Sequence, residues 1–216
     1  MTETDSTYQI NAPAFCPDLV RVLLVYPNSK DVALANLGFQ RVHTLLNQIH
    51  GVECDHYSLP VGWSSDVLKL EPSSMLSHEW KWSLDRFDVI AFSISFEPDY
   101  LNAALILKYF GIPLERKERS AGHPLVLAGG SAVFINPEPL ADCIDAFFIG
   151  EGEGLAEHFL DYLAKTNLAM HASYWNPLQR SQVFMSLNST IRNIKGAAWL
   201  NSRPDQKLLR EWNGTG

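Results

Sequence analysis

The chain has 216 residues, of which 46% are apolar and 19% charged, with a formal net charge of −7. That length allows one domain with a sizeable core plus additional chain, and the composition is that of a globular protein rather than a disordered one. No run approaches 18 consecutive apolar residues, so no transmembrane helix is expected, and the thinly spread acidic charge gives no reason to expect nucleic acid as a partner.

Residues 1–20 read as a loose amino-terminal arm in which Pro13 and Pro17 discourage regular structure. They are acidic and polar and lack the basic, apolar leader of a secretory signal. Residues 21–26, Arg-Val-Leu-Leu-Val-Tyr, make a strong first strand stopped by Pro27-Asn28-Ser29. Leu34, Leu37, Val42, Leu45 and Ile49 fall near helical spacing and predict one helix over 32–49, with Gly51 ending it. Residues 52–59 form a second, more polar strand suited to a sheet edge, and 60–85 are ambiguous beyond short helical pieces. A third strand spans 88–95. A helix over 98–110 follows, with Leu101, Ala104, Leu105 and the Lys108 stem on one face and Gly111 closing it. Residues 125–128 and 146–149 are short apolar runs cut off by glycine, the pattern of strands buried on both faces. The last expected helix covers 152–165 and buries Leu155, Phe159 and Leu163.

Strands alternating with helices require right-handed crossovers and a parallel sheet. The expected fold is therefore α/β: a doubly wound, parallel five-stranded sheet in the flavodoxin-like order 2-1-3-4-5, followed by an irregular carboxyl-terminal tail. Composition shifts near Asn167. From there to Gly216 six basic residues face two acidic ones, a balance of +4 that leaves −11 for the remainder, and Trp175, Trp199 and Trp212 stand among polar residues. The division is an arm at 1–20, an α/β domain at 21–166 and a basic, Trp-containing tail at 167–216. Cys16, Cys54 and Cys143 are widely separated, which points to reduced thiols in the cytoplasm and excludes a Cys-x-x-Cys metal site.

In open α/β sheets ligands bind at the carboxyl edge, in the crevice at the switch point. The turns that reach this edge carry Asn28, Ser95, Glu97, Gly129, Gly130, Ser131, Glu151 and Glu153, and these are the candidate site residues. Glu151 and Glu153 would repel a phosphate, and acidic residues at a helix start also oppose the positive end of its dipole. Neither GxGxxG nor GxxxxGK[ST] occurs, so dinucleotide and triphosphate binding by those routes is not expected. The seven histidines show no metal spacing such as HExxH and read as scattered, exposed side chains.

Three segments together carry a resemblance. They are Asn36-Leu-Gly-Phe-Gln with Leu45-Leu-Asn, then Asp85-Arg-Phe-Asp-Val-Ile-Ala-Phe-Ser-Ile-Ser-Phe-Glu with Gly111-Ile-Pro-Leu and Glu118-Arg. The third is Leu127-Ala-Gly-Gly-Ser, Asn136-Pro-Glu-Pro-Leu-Ala-Asp and Ile149-Gly-Glu-Gly-Glu. Over residues 21–163 the chain resembles the amino-terminal, cobalamin-binding domain of a radical SAM family of Fe–S oxidoreductases. The resemblance implies cobalamin at the sheet edge, with its nucleotide tail threading past Gly129 and Gly130. On that reading Gly130→Val abolishes binding and leaves the fold near native. The Asp-x-His-x-x-Gly segment that ligates cobalt is replaced by Asn28-Ser-Lys-Asp-Val-Ala, so no protein histidine is expected on the metal. No Cys-x-x-x-Cys-x-x-Cys occurs either, and neither an iron–sulfur cluster nor SAM is expected in this chain alone. The implied roles are a cofactor-binding module, a module that docks to a separate cluster-bearing radical SAM chain after losing cofactor binding, or a truncated fragment of such an enzyme. A small-molecule enzyme using carboxylates at the edge is a further reading, with no nucleophile and base to support it.

Overall fold

The computed structural model describes residues 19–60, 76–120 and 122–149. Five parallel strands lie in the order β2-β1-β3-β4-β5, as expected from the alternation of strands and helices. They are β1 (Val20–Ser29), β2 (Val52–Leu59), β3 (Val89–Ser93), β4 (Leu125–Gly129) and β5 (Ala146–Phe147). Among the described residues four α-helices are interleaved: α1 (Lys30–Ala35), α2 (Leu37–Leu46), α3 (Asp99–Tyr109) and α4 (Ser131–Ile135). No helix among the described residues is long and apolar enough to cross a membrane.

Alternate side chains of a strand face opposite sides of the sheet. In β1, Val20, Val22, Leu24 and Tyr26 join Ala33, Phe39, Leu46 and Cys54 under α1 and α2. Leu23 and Val25 instead meet Ile90, Phe92, Ala103, Ile106 and Leu107 under α3. Both faces are therefore dry, which is why the central strands read as unbroken apolar runs.

Six elements differ from the sequence expectation. Strand β1 runs on through Pro27 to Ser29, with its register against β2 shifting between Tyr26 and Ser29. Pro27 is tolerated where the ladder is already irregular. The single helix over 32–49 is two helices, because Asn36 takes an extended backbone (φ −87°, ψ 103°) and its side chain accepts from the Phe39 N–H. That is an N-cap in mid-pattern, and it turns Leu34 and Leu37 out to solvent while Phe39 and Leu46 pack inward. In α3 the buried side is Asp99, Ala103, Ile106 and Leu107, whereas Leu101 is exposed. Lastly, Ser131–Ile135 is a short helix that no periodicity announced. Strands β3 and β5 are also shorter than the expected 88–95 and 146–149. The helix expected over 152–165, the tail from 167 and the arm up to residue 18 lie outside the described residues.

Candidate functional site

The carboxyl edge is built by the segments that follow β1, β3 and β4, and they are tied to one another by side-chain hydrogen bonds. After β1, Asn28 Nδ2 donates to Asp99 Oδ1 at 2.7 Å, and its own Oδ1 accepts from the Ser29 N–H. Asp99, in the first turn of α3, is buried, and its Oδ2 has no hydrogen-bond partner. Burial raises the Asp99 carboxyl above its ordinary range, against the opposing effects of the Asn28 and Asn102 amides. Asn102 Nδ2 donates to the Pro27 carbonyl at 2.9 Å, a second clasp between α3 and the end of β1.

The turn after β3 is held in the same way. Asn36 Nδ2 donates to Ser95 Oγ at 3.1 Å and to the Tyr26 hydroxyl at 3.3 Å. Ser131 Oγ donates to the Ser95 carbonyl at 3.0 Å, and the Ile94 N–H donates to the Gly129 carbonyl at 2.8 Å. Asn28, Ser95, Glu97, Gly129, Gly130 and Ser131 thus come to one edge, as expected from the strand order. Glu97 is exposed. Glu151 and Glu153 lie outside the described residues.

The glycine pair has a structural reason. Gly130 has φ +110°, a conformation that side chains rarely adopt, and a Cβ there would sit 2.4 Å from the Ile94 carbonyl oxygen and 2.8 Å from the Ile94 nitrogen. A Cβ on Gly129 would lie 3.2 Å from Phe148 Cβ. The space beside Gly130 is filled by the backbone of the neighbouring turn. Asn36, Asp99 and Asn102, which organise the edge, were not among the residues expected there. The signal for Asn36 was its residue type, since Asn is a preferred helix N-cap.

The histidines are not all scattered and exposed. His43 on α2, His56 on β2 and His78 on the segment beside β2 are half-buried and stand ring to ring. Centroids are 5.1 Å apart for His43 and His56 and 4.9 Å for His56 and His78. Burial, aided by His43, lowers His56 below the usual imidazole range, and burial followed by His56 pushes His78 down to about 4. His50 is exposed, as expected.

This fold and edge define a doubly wound α/β domain of flavodoxin-like strand order. A family model described as "Radical SAM proteins, N-terminal" matches residues 38–185, more than half of the chain, and the chain belongs to that family. It is also 30% identical, over 133 residues, to an uncharacterized protein of Methanocaldococcus jannaschii, an overlap of 62% of this chain and 24% of that protein. The chain thus spans about a quarter of the length of the curated relative it matches. No solved structure matches it.

Proposed function

We propose that this domain serves radical SAM chemistry as a docking module, with the carboxyl edge as its working face. The observation that carries this reading is where the apolar side chains are left uncovered. Among the described residues the exposed large hydrophobics are Leu34, Leu37, Phe96, Leu101, Phe134, Ile135 and Leu114. All but Leu114 stand on the segments that follow β1, β3 and β4, within eight residues of where those strands end. Single exposed apolar residues are ordinary on any surface, but a group gathered at one edge marks a contact surface. The occupant of this reading is the cluster-bearing part of a radical SAM protein, in the same chain or a separate one. Belonging to the family supports that choice.

A corrinoid is the second reading, favoured by the same apolar rim together with the exposed Gly130 and Ser131. The residues do not fit a cobalt ligated by the protein: the turn after β1 has no imidazole, and the Asn28 amide is engaged by Asp99. They fit a corrinoid lying on the edge through backbone and apolar contacts alone. Hydroxocobalamin incubated with the chain and passed through gel filtration separates the two. The docking reading expects no visible absorption with the protein. Stoichiometric co-elution, weakened by Phe134→Glu, would replace docking with the corrinoid reading.

A further inference from the structure

We propose that His43, His56 and Glu79 bind one first-row divalent cation of the zinc type, at a site on the β2 side of the sheet apart from the carboxyl edge. One nitrogen from each imidazole and one oxygen from the carboxylate lie within 4.8 Å of one another. Three separate elements supply them: α2, the edge strand β2, and the segment that lies along the free edge of β2.

Hydrogen bonding leaves one nitrogen on each imidazole open to an ion. His56 Nδ1 is buried and makes no hydrogen bond, yet it stands 3.6 Å from Glu79 Oε1 and 3.7 Å from Asp55 Oδ1. Two ligand atoms on a tetrahedral ion with bonds of about 2.0–2.1 Å lie about 3.3 Å apart. The His56–Glu79 separation is thus too long for a hydrogen bond and close to that of two ligands on a shared ion. His43 Nε2 lies 3.1 Å from the Cys54 carbonyl and 3.4 Å from Asn47 Nδ2, whose two hydrogens go to the His43 and Cys54 carbonyls and leave Nε2 to donate. A nitrogen that donates there is protonated, which leaves the lone pair on Nδ1, the arrangement in which a carbonyl orients a metal-binding histidine. The Glu79 side chain is 35% exposed and free to swing by the ångström that closure needs.

The neighbours are committed to other tasks. His78 Nε2 accepts from the Ser58 N–H at 3.0 Å and lies 2.8 Å from Ser58 Oγ. Asp55 is fully buried: its Oδ1 accepts from the His56 and Glu79 N–H groups and its Oδ2 from the Trp80 N–H. Asp55 therefore pins the segment carrying Glu79 against β2 and holds the third ligand in reach. Cys54 is buried, its Sγ donates to the Asp55 carbonyl, and its sulfur is not among the atoms that converge with His43, His56 and Glu79. Two imidazoles and one carboxylate select zinc-type ions over magnesium or calcium, and three protein ligands leave a fourth position for water or substrate.

The test is zinc titration of the EDTA-stripped full chain against a chromogenic chelator, followed by cobalt substitution. The expected result is one equivalent bound at micromolar affinity or tighter, weakened at least ten-fold by Glu79→Gln and by His43→Asn and unchanged by His50→Asn. Circular dichroism of the metal-free variants separates lost ligands from lost fold. Cobalt should give the visible bands of a four-coordinate ion without a thiolate charge-transfer band, and Glu79→Gln should abolish them. The site is refuted if the parent chain binds no zinc, if folded Glu79→Gln binds it as tightly as the parent, or if the cobalt spectrum carries the thiolate band.

Discussion

Replacing Arg119 by methionine is expected to cost about 3–5 kcal/mol of folding stability, the effect of leaving a buried charge without its partner. Arg119 has a fully buried side chain and Asp145 a nearly buried one, joined by a 2.8 Å bond from Nη1 to Oδ2. The rest of the guanidinium is spent on carbonyls: Nε donates to Pro113, and Nη2 donates to Leu114 and Cys143. Asp145 Oδ2 also accepts from the Val126 N–H at 2.8 Å, so the pair fixes the entries of β4 and β5 together. Methionine matches the bulk but satisfies none of these acceptors, and the Asp145 charge stays buried. Against a total stability of about 5–15 kcal/mol for a domain, that loss leaves little margin. Urea denaturation measures it. The double variant Arg119→Met/Asp145→Asn should recover part of the loss, because a neutral amide still accepts from Val126 N–H. A single-variant loss below about 1 kcal/mol would show that the pair does not hold these strands.

Gly130→Ala is expected to cost about 3 kcal/mol, and Gly130→Val more. Two effects combine here: strain from positive φ of about 1–3 kcal/mol and overpacking of similar size. The atoms that must give way are the Ile94 carbonyl and nitrogen, which themselves bond the Ala132 N–H and the Gly129 carbonyl. Relaxing the clash therefore loosens the end of the β3–β4 ladder. The expectation that Gly130→Val would keep a near-native fold is corrected by this geometry, and the variant cannot report on ligand binding alone. An alanine variant as stable as the parent, judged by its thermal midpoint, would mean that the turn adopts another conformation.

How much of this was legible depends on the range of the interaction. The strands were, because β1, β3 and β4 are buried on both faces and must be apolar throughout, and the glycines after residues 125–128 and 146–149 mark the carboxyl edge. The edge position of β2 followed from its polar residues, Glu53, Asp55 and His56. Helix faces were read less well. The 3.6-residue period over 32–49 was carried straight through Asn36, and the extended backbone at that residue rotates Leu34 and Leu37 away from the core. What no pattern revealed were groups joined across the fold. Arg119 meets Asp145, Asn28 meets Asp99, and His43 meets His56 and Glu79 only once the sheet and its edge segment are assembled. Spacing rules find ligands that share one helix or one loop, and these do not.

The docking reading rests on the carboxyl edge being a contact face, and amide hydrogen exchange tests that most directly. The exchange of this domain would be followed alone and in complex with the cluster-bearing part of a radical SAM protein. The account predicts slowed exchange in complex at residues 34–37, 96–101 and 131–135, with residues 114–118 at the opposite edge unchanged. Unchanged exchange at the carboxyl edge, or protection confined to residues 114–118, would contradict it.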